Sequence, residues 1–268
     1  ENNTAVGYKS LFGITTATGN TAIGYAAGDS ITTSGYNSLL GYQAGAGLTG
    51  GSGTNVAIGY QPLYNGTANS YVVAIGSRAG YYSTANNNVY VGANTGRESR
   101  DGGAQTYIGN AAGYYATGSY NTFVGSDAGK GGTTSAPFSS GLRNTAMGYQ
   151  ALSGFTTGDD NIAIGYQAGY LISSGSNNVV MGYNAGYSLG GTLYNVMIGD
   201  YAGAVSNTIN NRHVYVGYNS GRYIDTGLAN VAIGYNAMKS TSATNQNASY
   251  NTAVGYVALE SITDSDYN

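Results

Sequence analysis

Acid, base and nucleophile chemistry needs groups that the fold can bring together, and this chain offers few. Beyond Glu1 the acids are scattered: Asp29, Glu98, Asp101, Asp127, Asp159, Asp160, Asp200, Asp225, Glu260, Asp264 and Asp266. Glycoside hydrolysis needs two carboxylates across one sugar, and the spacing singles out no such pair. Asp159 and Asp160, adjacent in TTGDDN, can touch a cation, but exposed loop acids are the plainer reading. His213 is the single histidine, so no histidine-dependent triad can be assembled elsewhere. Zero cysteines remove disulfides, thiolate catalysis and cysteine metal sites. Gly45, Gly47 and Gly50 in GAGLTG match a dinucleotide fingerprint formally, without the strand–helix context that gives it meaning. Asn65–Gly66–Thr67 and Asn247–Ala248–Ser249 match a glycosylation sequon, as chance allows in a chain rich in Asn, Ser and Thr. The expectation is a protein that is not an enzyme, with no cofactor and no catalytic or metal site.

The composition explains why chemistry is sparse. Charged residues are 8% of the chain, and Gly supplies 45 of 268 residues. Such bias suggests disorder, but disordered chains lack aliphatic and aromatic residues, and this one has 28 Tyr. Collagen is excluded because glycine does not recur every third position and only two prolines exist. A net charge of −3, without a basic cluster, argues against nucleic-acid binding. No apolar run approaches the ~20 residues of a membrane span.

What organises the chain is a repeat. NTAIGYAAG at residues 20–28, NVAIGYQ at 55–61 and NIAIGYQAGY at 161–170 are one phrase rewritten. Aligned on its glycine, the phrase falls at Gly7, Gly24, Gly41, Gly59, Gly76, Gly92, Gly109, Gly125, Gly148, Gly165, Gly182, Gly199, Gly217, Gly234 and Gly255. The usual step is 17 residues, close to the short end of solenoid periods. The expected fold is therefore all-β: a repetitive β-solenoid or β-roll of 15 coils, about 4.8 Å apart, making a rod of roughly 70 Å. Residues 1–268 read as one repetitive segment, opening and closing within the pattern, as expected of part of a longer fibrous protein.

Positions are counted from that glycine. Position −4 is Asn in twelve of fifteen repeats, the exceptions being Val72, Gln105 and His213. Stacked coils align Asn20, Asn37, Asn55, Asn161, Asn178 and Asn195 into an amide ladder. Position −3 is β-branched or Ser, and −1 is always aliphatic, a pattern that predicts a short strand. Because −3 and −1 share a face, they are expected to line the inside of the coil, with Ile23, Ile58, Ile75, Ile164, Ile198 and Ile233 as its core. Position −2 faces the other way and is also apolar or Tyr throughout, as at Ala22, Ala57, Tyr107, Phe123, Ala163, Tyr215 and Ala232. A strand apolar on both faces is covered on both. One coil has one interior, so this second face is expected to be a seam between neighbouring chains.

The remaining positions are corners and loops. Position +1 is Tyr in ten repeats, and +4 is Gly in ten and Leu or Met in five. Two steps are longer and insert loops within 130–143 and 239–250. Solenoid insertions emerge on one face and often bind ligands. Lys130, Phe138, Arg143, Lys239 and Tyr250 are the candidate contacts for a surface glycan or protein receptor, although extra surface length alone costs little. The paired Tyr81–Tyr82 and Tyr114–Tyr115 are also flat aromatic surfaces of a kind that sugars use.

The phrase NTAIGY-x-A-G/L resembles the head repeats of YadA-like trimeric autotransporter adhesins. It resembles still more the repeat tracts of bacteriophage tail fibres, over essentially the whole chain. Both resemblances imply three parallel chains, each a β-roll, packed about a three-fold axis. The expected function is the structural shaft of an extended, extracellular homotrimeric fibre that serves host-cell attachment, with no nucleic acid and no membrane insertion. The alternative is the head of a bacterial surface adhesin that binds matrix or glycans. An ice-binding solenoid needs a flat Thr array, whereas the Thr here sit mostly at −3 or in irregular loops.

Overall fold

The computed structural model describes residues 2–51, 53–67, 69–136, 138–205, 212–224, 227–240 and 248–261. Among them are fifteen strands of three residues, each spanning positions −3 to −1 of one repeat, and the protein is all-β. The residues form two compact units, Glu1–Asp127 with Thr134–Ser140, and Ala128–Thr133 with Gly141–Asn268. The first carries β1 (Thr4–Val6), β2 (Thr21–Ile23), β3 (Ser38–Leu40), β4 (Val56–Ile58), β5 (Val73–Ile75), β6 (Val89–Val91), β7 (Thr106–Ile108) and β8 (Thr122–Val124). The second carries β9 (Thr145–Met147), β10 (Ile162–Ile164), β11 (Val179–Met181), β12 (Val196–Ile198), β13 (Val214–Val216), β14 (Val231–Ile233) and β15 (Thr252–Val254). Within each unit, successive strands pair in parallel and in register. Ala5 meets Ala22, and Ala163 meets Val180, so each repeat position becomes a column.

The coil closes because four positions per repeat take the left-handed backbone region: −5, 0, +2 and +4. Non-glycine residues adopt it too, as at Tyr36 and Asp160 (−5), Gln43 and Gln167 (+2), and Leu63 and Leu152 (+4). An L-residue there costs about 1–2 kcal/mol, so the corners need support from outside themselves. The neighbouring coil supplies it. The backbone N–H groups of Gln43 and Gln167 donate to the carbonyls of Tyr25 at 2.8 Å and Tyr149 at 2.9 Å. At position 0 glycine is required twice over. Gly165 has φ +133°, and a Cβ there would sit 2.5 Å from the Gly182 carbonyl oxygen.

The interior is built from the face opposite to that expected. Ala22, Ala57, Tyr107, Phe123, Ala163, Tyr215 and Ala232 are all 0% exposed within a single chain. They are the core of the coil and not a seam. Ile23 (40% exposed), Ile75 (36%), Ile198 (38%) and Ile233 (40%) point outward, as do the partly exposed Ile58 and Ile164. Alternation alone cannot say which face is inside. The parity of the neighbouring columns does: −4, −2 and 0 share one side of the strand, and that is the side where the Asn amides and the close glycine contacts lie.

The Asn column runs through the interior as a hydrogen-bonded ladder. Asn37 Nδ2 and the Asn37 backbone N–H both donate to Asn20 Oδ1 at 2.9 Å. Asn55 Nδ2 donates to Asn37 Oδ1 at 2.9 Å. Asn161, Asn178 and Asn195 repeat the geometry, Asn178 Nδ2 to Asn161 Oδ1 at 3.0 Å and Asn195 Nδ2 to Asn178 Oδ1 at 2.9 Å. Each exception has a local reason. Gln105 is longer than Asn, and its Oε1 accepts from the buried Tyr90 hydroxyl at 2.8 Å. His213 accepts the Asn230 backbone N–H at its Nδ1 (3.1 Å) and stacks on Tyr215 at 4.8 Å. Val72 takes the Asn55 Oδ1 contact through its backbone N–H at 3.0 Å and passes nothing on.

Candidate functional site

With −2 inside, the outward columns −3, −1 and +1 form one stripe along each unit. Residues at −3 and −1 are uncharged in every repeat. The column at −1 exposes Leu40, Ile75 and Ile108 in the first unit, and Met147, Met181, Ile198 and Ile233 in the second. Beside it the +1 tyrosines stack. Tyr8, Tyr25, Tyr42 and Tyr60 follow at 5.3, 5.1 and 5.4 Å, and Tyr149, Tyr166 and Tyr183 at 5.3 and 5.0 Å. The −1 residues end the strands and the +1 residues follow the glycine corner, and both columns are exposed in each unit.

The corners carry the cations. In the first unit the +5 column reads Tyr64, Tyr81, Arg97, Tyr114. The Arg97 guanidinium lies between two rings, 5.6 Å from Tyr81 and 5.5 Å from Tyr114, and bonds the Tyr114 hydroxyl. Arg100 lies 4.5 Å over Tyr82 and 5.8 Å from Phe138, with an ion pair to Glu98 at 3.1 Å. Arg100, Asp101, Thr117, Ala136, Phe138 and Ser140 line a cleft of about 290 Å³. In the second unit, Arg222 sits 4.4 Å over Tyr201 and 4.8 Å over Tyr223.

The loop candidates divide between the two units. Phe138 stacks on Tyr115 at 5.9 Å and belongs to the first unit. Lys130 and Arg143 belong to the second. Arg143 is committed to the acids: its Nε donates to Asp160 at 2.6 Å, and its Nη2 lies 3.6 Å from Asp159. This pairing lowers the Asp160 pKa, and Asp159 Oδ1 also accepts the Leu142 N–H at 2.7 Å. The Asp159–Asp160 pair therefore holds an arginine and a backbone turn. Lys239 is partly buried and Tyr250 is 49% exposed, at a left-handed corner whose N–H donates to Leu228. Asp225, Asp264, Asp266 and Asn247 lie outside the described residues.

His213 titrates far from its ordinary range. Burial pushes its pKa down to about 3, with the Gly227 backbone opposing, so the ring is neutral in the ladder. Burial raises Tyr90 to about 12 and also raises Tyr107 and Tyr215 well above the ordinary phenol value. Among the described residues no group of three His, Cys, Asp or Glu could hold a metal ion, and no helix is long and apolar enough to cross a membrane.

Two features escaped the reading of the sequence. Positions −3 and −1 are expected inside from their shared parity, and the structure buries −2 instead. The corner arginines were passed over because each is alone in sequence; only the +5 column, read down the repeats, places Arg97 and Arg222 among tyrosines. Comparison with protein-family models, with curated proteins and with solved structures found no match.

Proposed function

We propose that the chain is a structural segment of an extended extracellular fibre, in which three identical solenoids run parallel and bury their −3, −1 and +1 stripes against one another. The observation that carries this is the stripe. A solitary solenoid leaves a column of Ile, Leu, Val and Met in water beside a column of stacked Tyr, and contiguous apolar patches above a few hundred Å² mark interaction surfaces. A second copy suits it better than an unrelated partner. Each column repeats at one spacing in every copy, and no charge at −3 or −1 opposes its twin. The number three and the setting, the shaft of a phage tail fibre serving host attachment, follow from the resemblance of NTAIGY-x-A-G/L to such tracts. The mechanism is mechanical: stacked coils give stiffness and reach, and repeated weak surface contacts add avidity.

Sedimentation equilibrium tests the assembly. The expected mass is three times the 27.3 kDa chain. Ile164→Glu with Met181→Glu should return the chain to a monomer with an unchanged β-sheet circular dichroism signal, because both side chains point out of the coil. A wild-type chain that stays monomeric at micromolar concentration refutes the reading. In the native fibre the mass per length should equal three coils, one from each chain, per ~4.8 Å of rise.

A further inference from the structure

The second unit has a ring-sized gap in one of its corner columns. Position +5 reads Tyr170, Tyr187, Ala204, Arg222 in four successive coils. Tyr170 and Tyr187 stack at 5.1 Å. Ser188 N–H donates to the Ala204 carbonyl at 3.1 Å, as Leu171 N–H does to Tyr187 at 2.9 Å, so Ala204 holds the place in the column that a third ring would take. The space left is a cleft of about 260 Å³, lined by Gln167, Asn184, Tyr187, Tyr201, Ala204, Val205 and Arg222. Tyr187 and Arg222 stand two coil steps apart, about 10 Å at the spacing of paired strands. The column spacing leaves room for one ring between the two coils, with the Arg222 guanidinium at its edge, 4.4 Å over Tyr201. The first unit shows the slot filled from within: Arg97 lies 5.6 and 5.5 Å from the rings above and below it.

The walls say what kind of ring fits. At one end is an aromatic face, Tyr187, and at the other a guanidinium whose Nη1 is fixed by Asn219 Oδ1 at 2.9 Å. The side wall is the +2 column: the amides of Gln167 and Asn184 and the phenol of Tyr201. Asn184 Oδ1 and Arg222 Nε, both sheltered from solvent, have no hydrogen-bond partner among the described residues. Among the described residues no acid lines the cleft, and the nearby Asp200 accepts the Tyr183 N–H at 2.9 Å. A flat apolar face against Tyr187, hydroxyls at the amide wall and an anion at Arg222 describe a sugar acid. The volume lies below the ~300–1,000 Å³ of drug-sized sites, which limits the occupant to a single ring.

We propose that this slot binds one pyranose ring bearing a carboxylate, a uronic-acid unit at an exposed position of a glycan. The site depends on the fold of one unit and not on the fibre assembly proposed above. The test is saturation-transfer NMR of the full chain with methyl β-glucuronide, methyl β-glucoside and benzoate. The glucuronide should bind with Kd on the order of 1 mM, the scale expected for so few atoms, and about tenfold tighter than the glucoside. Arg222→Gln should remove that difference, since a charge-assisted hydrogen bond accounts for about tenfold. Ala204→Tyr should abolish binding by completing the ring column, with the unfolding midpoint kept or raised as evidence that the coil is intact. Equal affinity for glucuronide and glucoside, tighter binding of benzoate, binding that survives Ala204→Tyr, or no transfer to the glucuronide at tens of millimolar overturns the assignment.

Discussion

The interior of each coil admits one large side chain from two columns, and a double substitution can exchange which column supplies it. All five repeats with Leu or Met at +4 (Leu11, Leu63, Leu152, Met238, Leu259) have Ala at −2. All seven repeats with a larger −2 residue (Leu39, Tyr90, Tyr107, Phe123, Val180, Met197, Tyr215) have Gly at +4. The geometry explains the rule: a Cβ on Gly45 would stand 2.8 Å from Leu39 Cδ2 and 3.0 Å from Leu48 Cδ1. Gly45→Leu should therefore cost about 1–3 kcal/mol of overpacking, plus about 1–2 kcal/mol for an L-residue in the left-handed region. Leu39→Ala should cost about 2–5 kcal/mol through lost transfer energy and a cavity. Together the two changes rebuild the Ala57/Leu63 arrangement of the next coil. The overpacking and most of the cavity cost then cancel, leaving about 1–2 kcal/mol for the backbone. The expected coupling is at least ~2 kcal/mol in favour of the double variant, within the range of directly touching residues. Urea unfolding followed by tyrosine fluorescence measures it, the chain having no Trp. Additive losses, or a double variant weaker than Gly45→Leu alone, would refute the account of the core.

Three further outcomes follow. Asn161→Ala removes the amide that donates to Gly175 O at 2.8 Å and to Asn144 Oδ1 at 3.1 Å, and the acceptor for Asn178. It should cost about 2–4 kcal/mol, from two or more buried groups left unpaired, with hydrogen exchange accelerating in the coils on either side. His213 is depressed to about 3 in the fold against an ordinary 6.5. The unfolded chain alone gains a proton between those values, so wild-type stability falls with decreasing pH below about 6.5, by roughly 1.4 kcal/mol per pH unit. His213→Asn should flatten that slope in thermal melts from pH 7 to 4. Tyr90, Tyr107 and Tyr215 are raised above the ordinary phenol value, so their contribution is complete below pH 10 and lost as pH rises past it. A spectrophotometric titration should show them ionising only with unfolding, after the exposed tyrosines.

The strands were legible from the sequence because each rests on local information. A β-branched residue at −3, an aliphatic at −1 and glycine at 0 mark Thr21–Ile23 or Val231–Ile233 without knowledge of any other coil. The coil's inside was not legible from hydrophobicity, which ranks Ile23 above Ala22 and so points to the wrong face. Size carries the information instead. A coil closed by four left-handed corners is narrow, and its interior takes Ala in most repeats, with one ring where Gly at +4 makes room. The Asn column held the same answer, since an amide that must meet backbone from the next coil lies inside, and −2 shares its parity. The corner loops were illegible for a different reason. Their ligand-like clusters, such as Phe138 with Arg100 and Tyr115, join residues from separate coils whose separation in sequence depends on loop length.

The columns divide the work between holding coil to coil and presenting a surface. Positions −4, −1 and 0 hold nearly one chemistry in every repeat because each is fixed by its twin in the next coil. An Asn must meet an amide, and a glycine must clear a carbonyl. Position +5 meets no such demand. It lies at a corner whose backbone is already bonded through +2 and +6, and it holds Tyr, Phe, Arg, Lys, Asp, Glu, Ser and Ala in different coils. A change there alters what the surface presents at a cost confined to one or two ring contacts, whereas a change at −4 interrupts the ladder in both directions. The surface can therefore vary along the corner columns while the register of the coils in each unit stays fixed. The gap at Ala204 between Tyr187 and Arg222 is where that freedom has opened a cleft.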